Sequence, residues 1–230
     1  MNYKYLFFDL DRTLWDYDAN SSSALSMVYD EFKLDRHFSS REDFLKIYNR
    51  NNDILWEDYR NGKVMKEDLR IKRFEDTLQA GEIYNRAFSE EIGERYMYIT
   101  PRLNTLTPHA VETLEYLTRQ NYRLYILTNG FLETQKKKMT HSSIDNYFIR
   151  IFSSEELGVN KPRREIFHWA VSSIHARKKE CLMIGDDADV DIRGAINYGM
   201  DNVWFNPGKV RTELRPTYII QDIGELTSIL

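Results

Sequence analysis

Apolar residues fall along this chain in two patterns. The first is the short unbroken run: YKYLFF at 3–8, YRLYIL at 122–127, YFIRIF at 147–152, CLMIG at 181–185 and DNVWF at 201–205, with TYII at 217–220 as a candidate sixth. Such runs read as parallel strands buried on both faces. The second is the helical stripe. In PHAVETLEYLTRQ at 108–120, Val111, Leu114 and Leu117 share a face, and Pro108 suits a first helical turn. Residues 163–176 and 190–198 also read as helices. Strands alternating with helices predict an α/β fold built on a doubly wound parallel sheet.

Between about 18 and 100 that rhythm stops. SSALSMVYDEF, SREDFLKIYNRNNDILWEDYRNG, KEDLRIKRFEDTLQA and IYNRAFSEEIGERYMYI are helical patterns with no convincing strand among them. Ser40 and Asp43 suit a helix start as N-cap and first-turn acid, and Gly62 and Gly81 suit helix ends. The reading is an α/β domain made of residues 1–17 and 101–230, interrupted by an all-helical domain at 18–100. Pro101 marks the return, with hinges near 15–20 and 98–104.

Composition narrows the class. A net charge of -4 argues against a nucleic-acid polymer as partner, since such proteins carry a basic face. No apolar run is long enough to span a bilayer, and the first strand begins without a basic leader or cleavage site. The single cysteine, Cys181, cannot form an internal disulfide, which points to the reducing cytoplasm. There is no internal repeat.

In open α/β sheets ligands bind outside the carboxyl ends of the strands. The first strand ends in Asp9 and Asp11, the second in Thr128, Asn129 and Gly130, and the fourth in Asp186, Asp187, Asp189 and Asp191. Lys161 stands between the third and fourth, before a proline and a helix. Clustered carboxylates repel unless a cation joins them, and oxygen-only ligands suit Mg²⁺. A Thr hydroxyl and turn amides can hold phosphoryl oxygens, and a lysine ammonium can balance their charge. One carboxylate can attack phosphorus while a second shuttles protons.

These segments resemble the haloacid dehalogenase (HAD) superfamily. FDLDRT matches its DxDxT signature, LTNG its second motif, NKP its lysine motif and GDDADVDIRGAINYGM its acidic fourth motif, all in the family's order. The resemblance implies a Rossmann-like core with an inserted helical cap domain, as in subfamily I. It implies a Mg²⁺-dependent phosphomonoesterase working through an aspartyl phosphate. Asp9 then resembles the nucleophile and Asp11 the general acid/base. Thr128 and the Asn129 backbone resemble the phosphate cradle, and Lys161 the residue neutralising nucleophile and phosphoryl group. Mg²⁺ would be held by the Asp9 carboxylate, the Asp11 backbone carbonyl and Asp186. Asp191 would orient Lys161 or a water on the metal, with Asp187 in the same shell. Superfamily dehalogenases resemble this chain but lack an acid at the Asp11 position. NDILWEDYRNGKVMKEDLRIKRF, TNGF and FSSEELGVNKPRREIF are further similar to bacterial HAD pyrimidine 5′-nucleotidases.

Other residues carry plainer expectations. Asp189 reads as exposed, Cys181 as inert core, and the KKK run at 136–138 as a solvated helix face. The five histidines have no metal-ligand spacing. Trp15 either lines the entrance or packs between core and cap. Asn52 interrupts a stripe formed by Leu45, Tyr48, Leu55, Trp56 and Tyr59. An amide there needs partners, so Asn52 either ties cap helices or, with Trp56, reads a substrate. The expected partner is a small phosphate monoester, a nucleotide first and a sugar phosphate second. A phospho-acceptor signalling domain is the non-enzymatic rival. It would need an acceptor Asp where these middle strands end in Thr128 and near Ser153.

Overall fold

Leu6, Phe7 and Phe8 are wholly inaccessible to solvent. A strand buried on both faces needs neighbours on both edges, and β1 (Tyr5–Phe8) has them. In this computed structural model, which describes residues 3–230, β2 (Arg123–Thr128) runs parallel to β1 on one side, and β3 (Phe148–Ser153) lies beyond it. On the other side β4 (Cys181–Gly185) is followed by β5 (Asp201–Phe205) and β6 (Tyr218–Ile220), all parallel. The order β3-β2-β1-β4-β5-β6 is the doubly wound arrangement. The chain winds outward from β1 to β3, then returns to the far side of β1. Strand order reverses between β1 and β4, and there the carboxyl ends open a crevice. Outermost β3 exposes Ile149 and Arg150, and a charge on an edge strand discourages pairing with another chain.

The chain divides into two compact units: one holds the chain up to Tyr17 with Asn104–Leu230, the other Asp18–Leu103. The second is built from α1 (Tyr17–Glu31), α2 (Arg41–Arg60), α3 (Lys66–Gln79) and α4 (Arg86–Ile99). Helices of 14 to 20 residues are marginal alone, so these depend on a shared core. Tyr48, Phe74 and Tyr96 supply its centre, with ring centroids 5.0 to 5.5 Å apart. Each such burial is worth about 1.5–3 kcal/mol. Ser40 caps α2 by accepting from Asp43 N at 3.1 Å, and Gly62 follows the helix at φ 73°. After α3 the left-handed residue is Glu82, not the expected Gly81. Asn51 Nδ2 donates to Thr77 Oγ1 at 3.2 Å and ties α2 to α3.

In the sheet unit the helix expected at 108–120 is shorter. α5 spans Ala110–Arg119, because His109 takes a left-handed conformation (φ 62°) that leaves Pro108 in the preceding turn. α6 (Leu132–His141), α7 (Ser154–Leu157) and α8 (Arg164–Ser173) follow, then a wide turn at Ala188–Ile192 that leads into α9 (Arg193–Tyr198). α10 (Leu226–Ile229) closes the chain. Phe7, Tyr125, Phe152, Phe167 and Met183 form one continuous core. Cys181 lies inside it, and burial pushes its thiol up to about 12, so it is inert at neutral pH. Among the described residues no helix is long and apolar enough to cross a membrane.

Candidate active site

β1 does not end at Phe8 in hydrogen-bonding terms: Asp9 N still donates to Ile184 O at 2.9 Å. Phe8 is level with Ile126 and Ile184, so Asp9, Leu127 and Gly185 open the same edge. Lys161 reaches this edge from the loop between α7 and α8 and is 1% exposed. Its Nζ donates to Asp9 Oδ1 at 2.7 Å, Asp191 Oδ1 at 2.6 Å and Leu127 O at 2.7 Å. Three donors thus meet three acceptors. Asn129 holds the Lys161 backbone through its side chain, accepting from Lys161 N and donating to Lys161 O. A Cβ at Gly185 would stand 2.3 Å from Asp191 Oδ2, so this strand end admits only glycine beside the acid.

Asp9, Asp186 and Asp191 bring carboxylate oxygens within 4.8 Å of one another. Burial raises the pKa of Asp9, with Asp191 adding and Lys161 opposing. Burial also raises Asp191 against the pull of Lys161. Asp186 is held well above the usual carboxylate range by burial and by Asp191 and Asp9, with Arg12 offsetting only part. Burial alone would lower Lys161, but Asp191 and Asp9 more than reverse it and keep it charged. Three clustered acids, Asp9 and Asp191 buried and Asp186 half-buried, share one ammonium among them, a surplus of negative charge that a divalent cation would remove.

The donor set fits such an ion. Asp191 has one oxygen on Lys161 and the other on Asp187 N. Asp9 and Asp186 each commit one oxygen, to Lys161 and to the Thr13 hydroxyl respectively. Among the described residues the second oxygen of each accepts no hydrogen bond, and all-oxygen donors suit Mg²⁺. Asp187 instead caps the turn after β4: its Oδ1 accepts from Asp189 N and Val190 N. Asp189 is exposed and pairs with Arg193.

Asp11 lies in a tight loop in which Leu14 N and Trp15 N both donate to Leu10 O. Two side chains of α6 grip its carboxyl. Gln135 Nε2 donates to Asp11 Oδ2 at 2.9 Å, and Lys138 Nζ donates to Asp11 Oδ1. Lys138 is only 5% exposed and lies 4.3 Å from the Trp15 ring centroid. The solvated reading of the lysine run therefore holds for Lys136 and Lys137 and fails for Lys138. A lysine is buried when an acid and an aromatic face receive it. Thr128 is buried, and its Oγ1 accepts from Gly130 N and from Gln135 Nε2.

The sheet unit thus gathers Asp9, Asp11, Thr128, Asn129, Lys161, Asp186 and Asp191 on one edge. Asn52 and Trp56 belong to the helical unit: Asn52 is buried on α2, and Trp56 is half-buried with its ring edge against Tyr59. Sequence reasoning missed Thr13, Gln135 and Lys138 as contributors. A signal for the last two exists. Phe131, Gln135, Lys138, Met139 and Ser142 share one helical face, and polar residues on an apolar face demand partners.

The chain is similar over its full length to known hydrolases. The chain is 31% identical to the pyrimidine 5′-nucleotidase PynA of Streptococcus pneumoniae, over 100% of this chain and 96% of that protein. It is equally 31% identical to the pyrimidine 5′-nucleotidase YjjG of Escherichia coli, over 100% and 99%. The magnesium-bound crystal structure of the HAD-hydrolase YfnB from Bacillus subtilis superposes with a TM-score of 0.90 at 28% identity, covering 100% of this chain and 99% of that one. The family model for haloacid dehalogenase-like hydrolases matches residues 3–199, and the chain belongs to that family.

Proposed function

We propose that this hydrolase cleaves phosphate monoesters, with pyrimidine nucleoside 5′-monophosphates as the preferred class. The observation that carries the reading is Asp11, a second carboxyl group fixed on the same edge as Asp9. A halide leaves as a stable anion and needs no proton, whereas an ester oxygen does. An acid beside the nucleophile therefore favours ester cleavage over dehalogenation.

In the first half-reaction an Asp9 oxygen bonds to phosphorus as the ester P–O bond breaks, and Asp11 gives its proton to the departing oxygen. In the second, Asp11 takes a proton from water. The water oxygen bonds to phosphorus, the Asp9–phosphorus bond breaks, and orthophosphate leaves. Lys161 balances charge on Asp9 and the phosphoryl group, and the Thr128 hydroxyl and Asn129 backbone hold phosphoryl oxygens. Mg²⁺, held by Asp9, Asp186 and the Asp11 carbonyl, would screen the acids from the phosphate. Asp191 keeps Lys161 in place.

The nucleotide assignment is supported by PynA and YjjG, both named pyrimidine 5′-nucleotidases. The single buried thiol suits a reducing cytoplasm. The test is phosphate release with Mg²⁺ from uridine, thymidine and purine monophosphates beside sugar phosphates. Faster release from uridine or thymidine monophosphate is expected. Preference for a sugar phosphate, or its isomerisation, would replace the substrate class. A stable phosphoprotein without release would replace the enzyme reading by a signalling one.

A further inference from the structure

Gln135 is wholly buried, and both hydrogens of its amide have acceptors. Nε2 lies 2.9 Å from Asp11 Oδ2 and 2.9 Å from Thr128 Oγ1. Its carbonyl oxygen, also buried, accepts no hydrogen bond among the described residues. Turning the amide over would not help: the oxygen would then face the Asp11 carboxylate, and two acceptors would lose their donor. The orphaned oxygen marks an amide placed for its nitrogen.

Thr128 Oγ1 also accepts from Gly130 N at 2.9 Å. A hydroxyl has two lone pairs and one hydrogen. With both lone pairs taken by N–H donors, Thr128 can act only as a donor, and among the described residues it donates to none. Its hydrogen is left for an acceptor such as a phosphoryl oxygen. The glycine makes this possible, since a Cβ at Gly130 would stand 2.2 Å from Gln135 Nε2.

We infer that Gln135 is a positioning residue that polarises the Thr128 hydroxyl toward the phosphoryl group and holds the Asp11 carboxyl in the same grip. The inference rests on the phosphate-ester reading above. One planar amide then links the group that holds the phosphate to the group that serves its leaving oxygen. A residue kept for packing alone would be a leucine or methionine, which fills the inner face of α6 without stranding an oxygen.

Gln135→Met keeps the unbranched shape and removes both donors. The wild type, Gln135→Met, Thr128→Val and the double variant are compared for inhibition by orthophosphate, for kcat and KM on an aryl and an alkyl phosphate, and for melting temperature. Gln135→Met is expected to weaken orthophosphate inhibition about tenfold, near the effect of Thr128→Val, and the double variant to bind orthophosphate no worse than Thr128→Val. Its kcat should fall about tenfold or more, further on the alkyl ester, while its melting temperature holds. If Gln135→Met does not fold, Gln135→Glu, of the same shape with at most one donor, carries the comparison. Unchanged orthophosphate inhibition, or equal losses on both esters with a lowered melting temperature, overturns the inference and leaves the phosphatase reading standing. A wild type that releases no phosphate from any ester overturns both.

Discussion

Asn129 grips the Lys161 backbone from both sides: Oδ1 accepts from Lys161 N at 2.8 Å, and Nδ2 donates to Lys161 O at 3.0 Å. The end of β2 and the lysine loop, 32 residues apart, are joined as neighbouring strands would be. The same residue whose backbone is fastened there makes three hydrogen bonds through its ammonium.

Asn129→Ala should therefore act through Lys161. Losing hydrogen bonds in a part-buried place costs about 1–3 kcal/mol. For a chain of this length that is a fall of about 2–4 °C in melting temperature per kcal/mol. Turnover should fall more than tenfold as the ammonium leaves its place between Asp9 and Asp191. Calorimetry and phosphate-release kinetics would read both, and an unchanged turnover would mean that the lysine holds its position without the clamp.

The surplus of acid predicts an unusual sign. In metal-free buffer Asp186→Asn removes one of three mutually repelling carboxylates and keeps an oxygen for the Thr13 hydroxyl. The variant should melt above the wild type without metal. Millimolar Mg²⁺ should raise the melting temperature of the wild type and leave the variant nearly unmoved. A variant that melts lower without metal, and still gains stability from Mg²⁺, would mean that another residue holds the ion.

The two early acids should separate by chemistry. Asp9→Asn should abolish turnover in a protein that still folds. Asp11→Asn keeps the backbone carbonyl, and its loss should be about 10²–10⁴-fold, the usual range for acid–base help. That loss should grow as the leaving group becomes more basic. Equal losses on alkyl and aryl phosphates would remove Asp11 from proton transfer.

Phosphate is common to every candidate ester, so base preference must lie elsewhere, and Asn52 and Trp56 are the residues proposed for it. Asn52→Ala or Trp56→Ala should raise KM for uridine or thymidine monophosphate about tenfold, a step of about 1.4 kcal/mol. KM for p-nitrophenyl phosphate should move much less. Equal effects on both substrates, with a lower melting temperature, would make these side chains part of the helical core.

The strands were legible because a strand buried on both faces leaves a continuous apolar run, as CLMIG does for β4. The motif residues were legible because strand ends in a doubly wound sheet converge whatever their separation in sequence. Side-chain partnerships across that separation were not. Lys138 reads as solvent-facing because its acid lies 127 residues earlier. Asn129 was read for its backbone, and nothing local reveals that its side chain serves Lys161. The start of α5 was misjudged because a single left-handed residue, His109, overrides the helix preference of the proline before it.

The place of β1 has a consequence for synthesis on the ribosome. Its sequence, YLFF, is made before every other strand of the sheet, yet β2 begins more than a hundred residues later and β4 only at Cys181. At about 5–20 residues per second, the nascent β1 waits on the order of ten seconds for its first neighbour. During that wait the helices of Asp18–Leu103 emerge complete and can collapse on their own aromatic core. The Asp9 end of β1 thus leaves the ribosome before the rest of the sheet and is enclosed only after β2 and β4 have followed. Until β4 arrives, Asp9 stands in water at the tip of an apolar strand with one edge open.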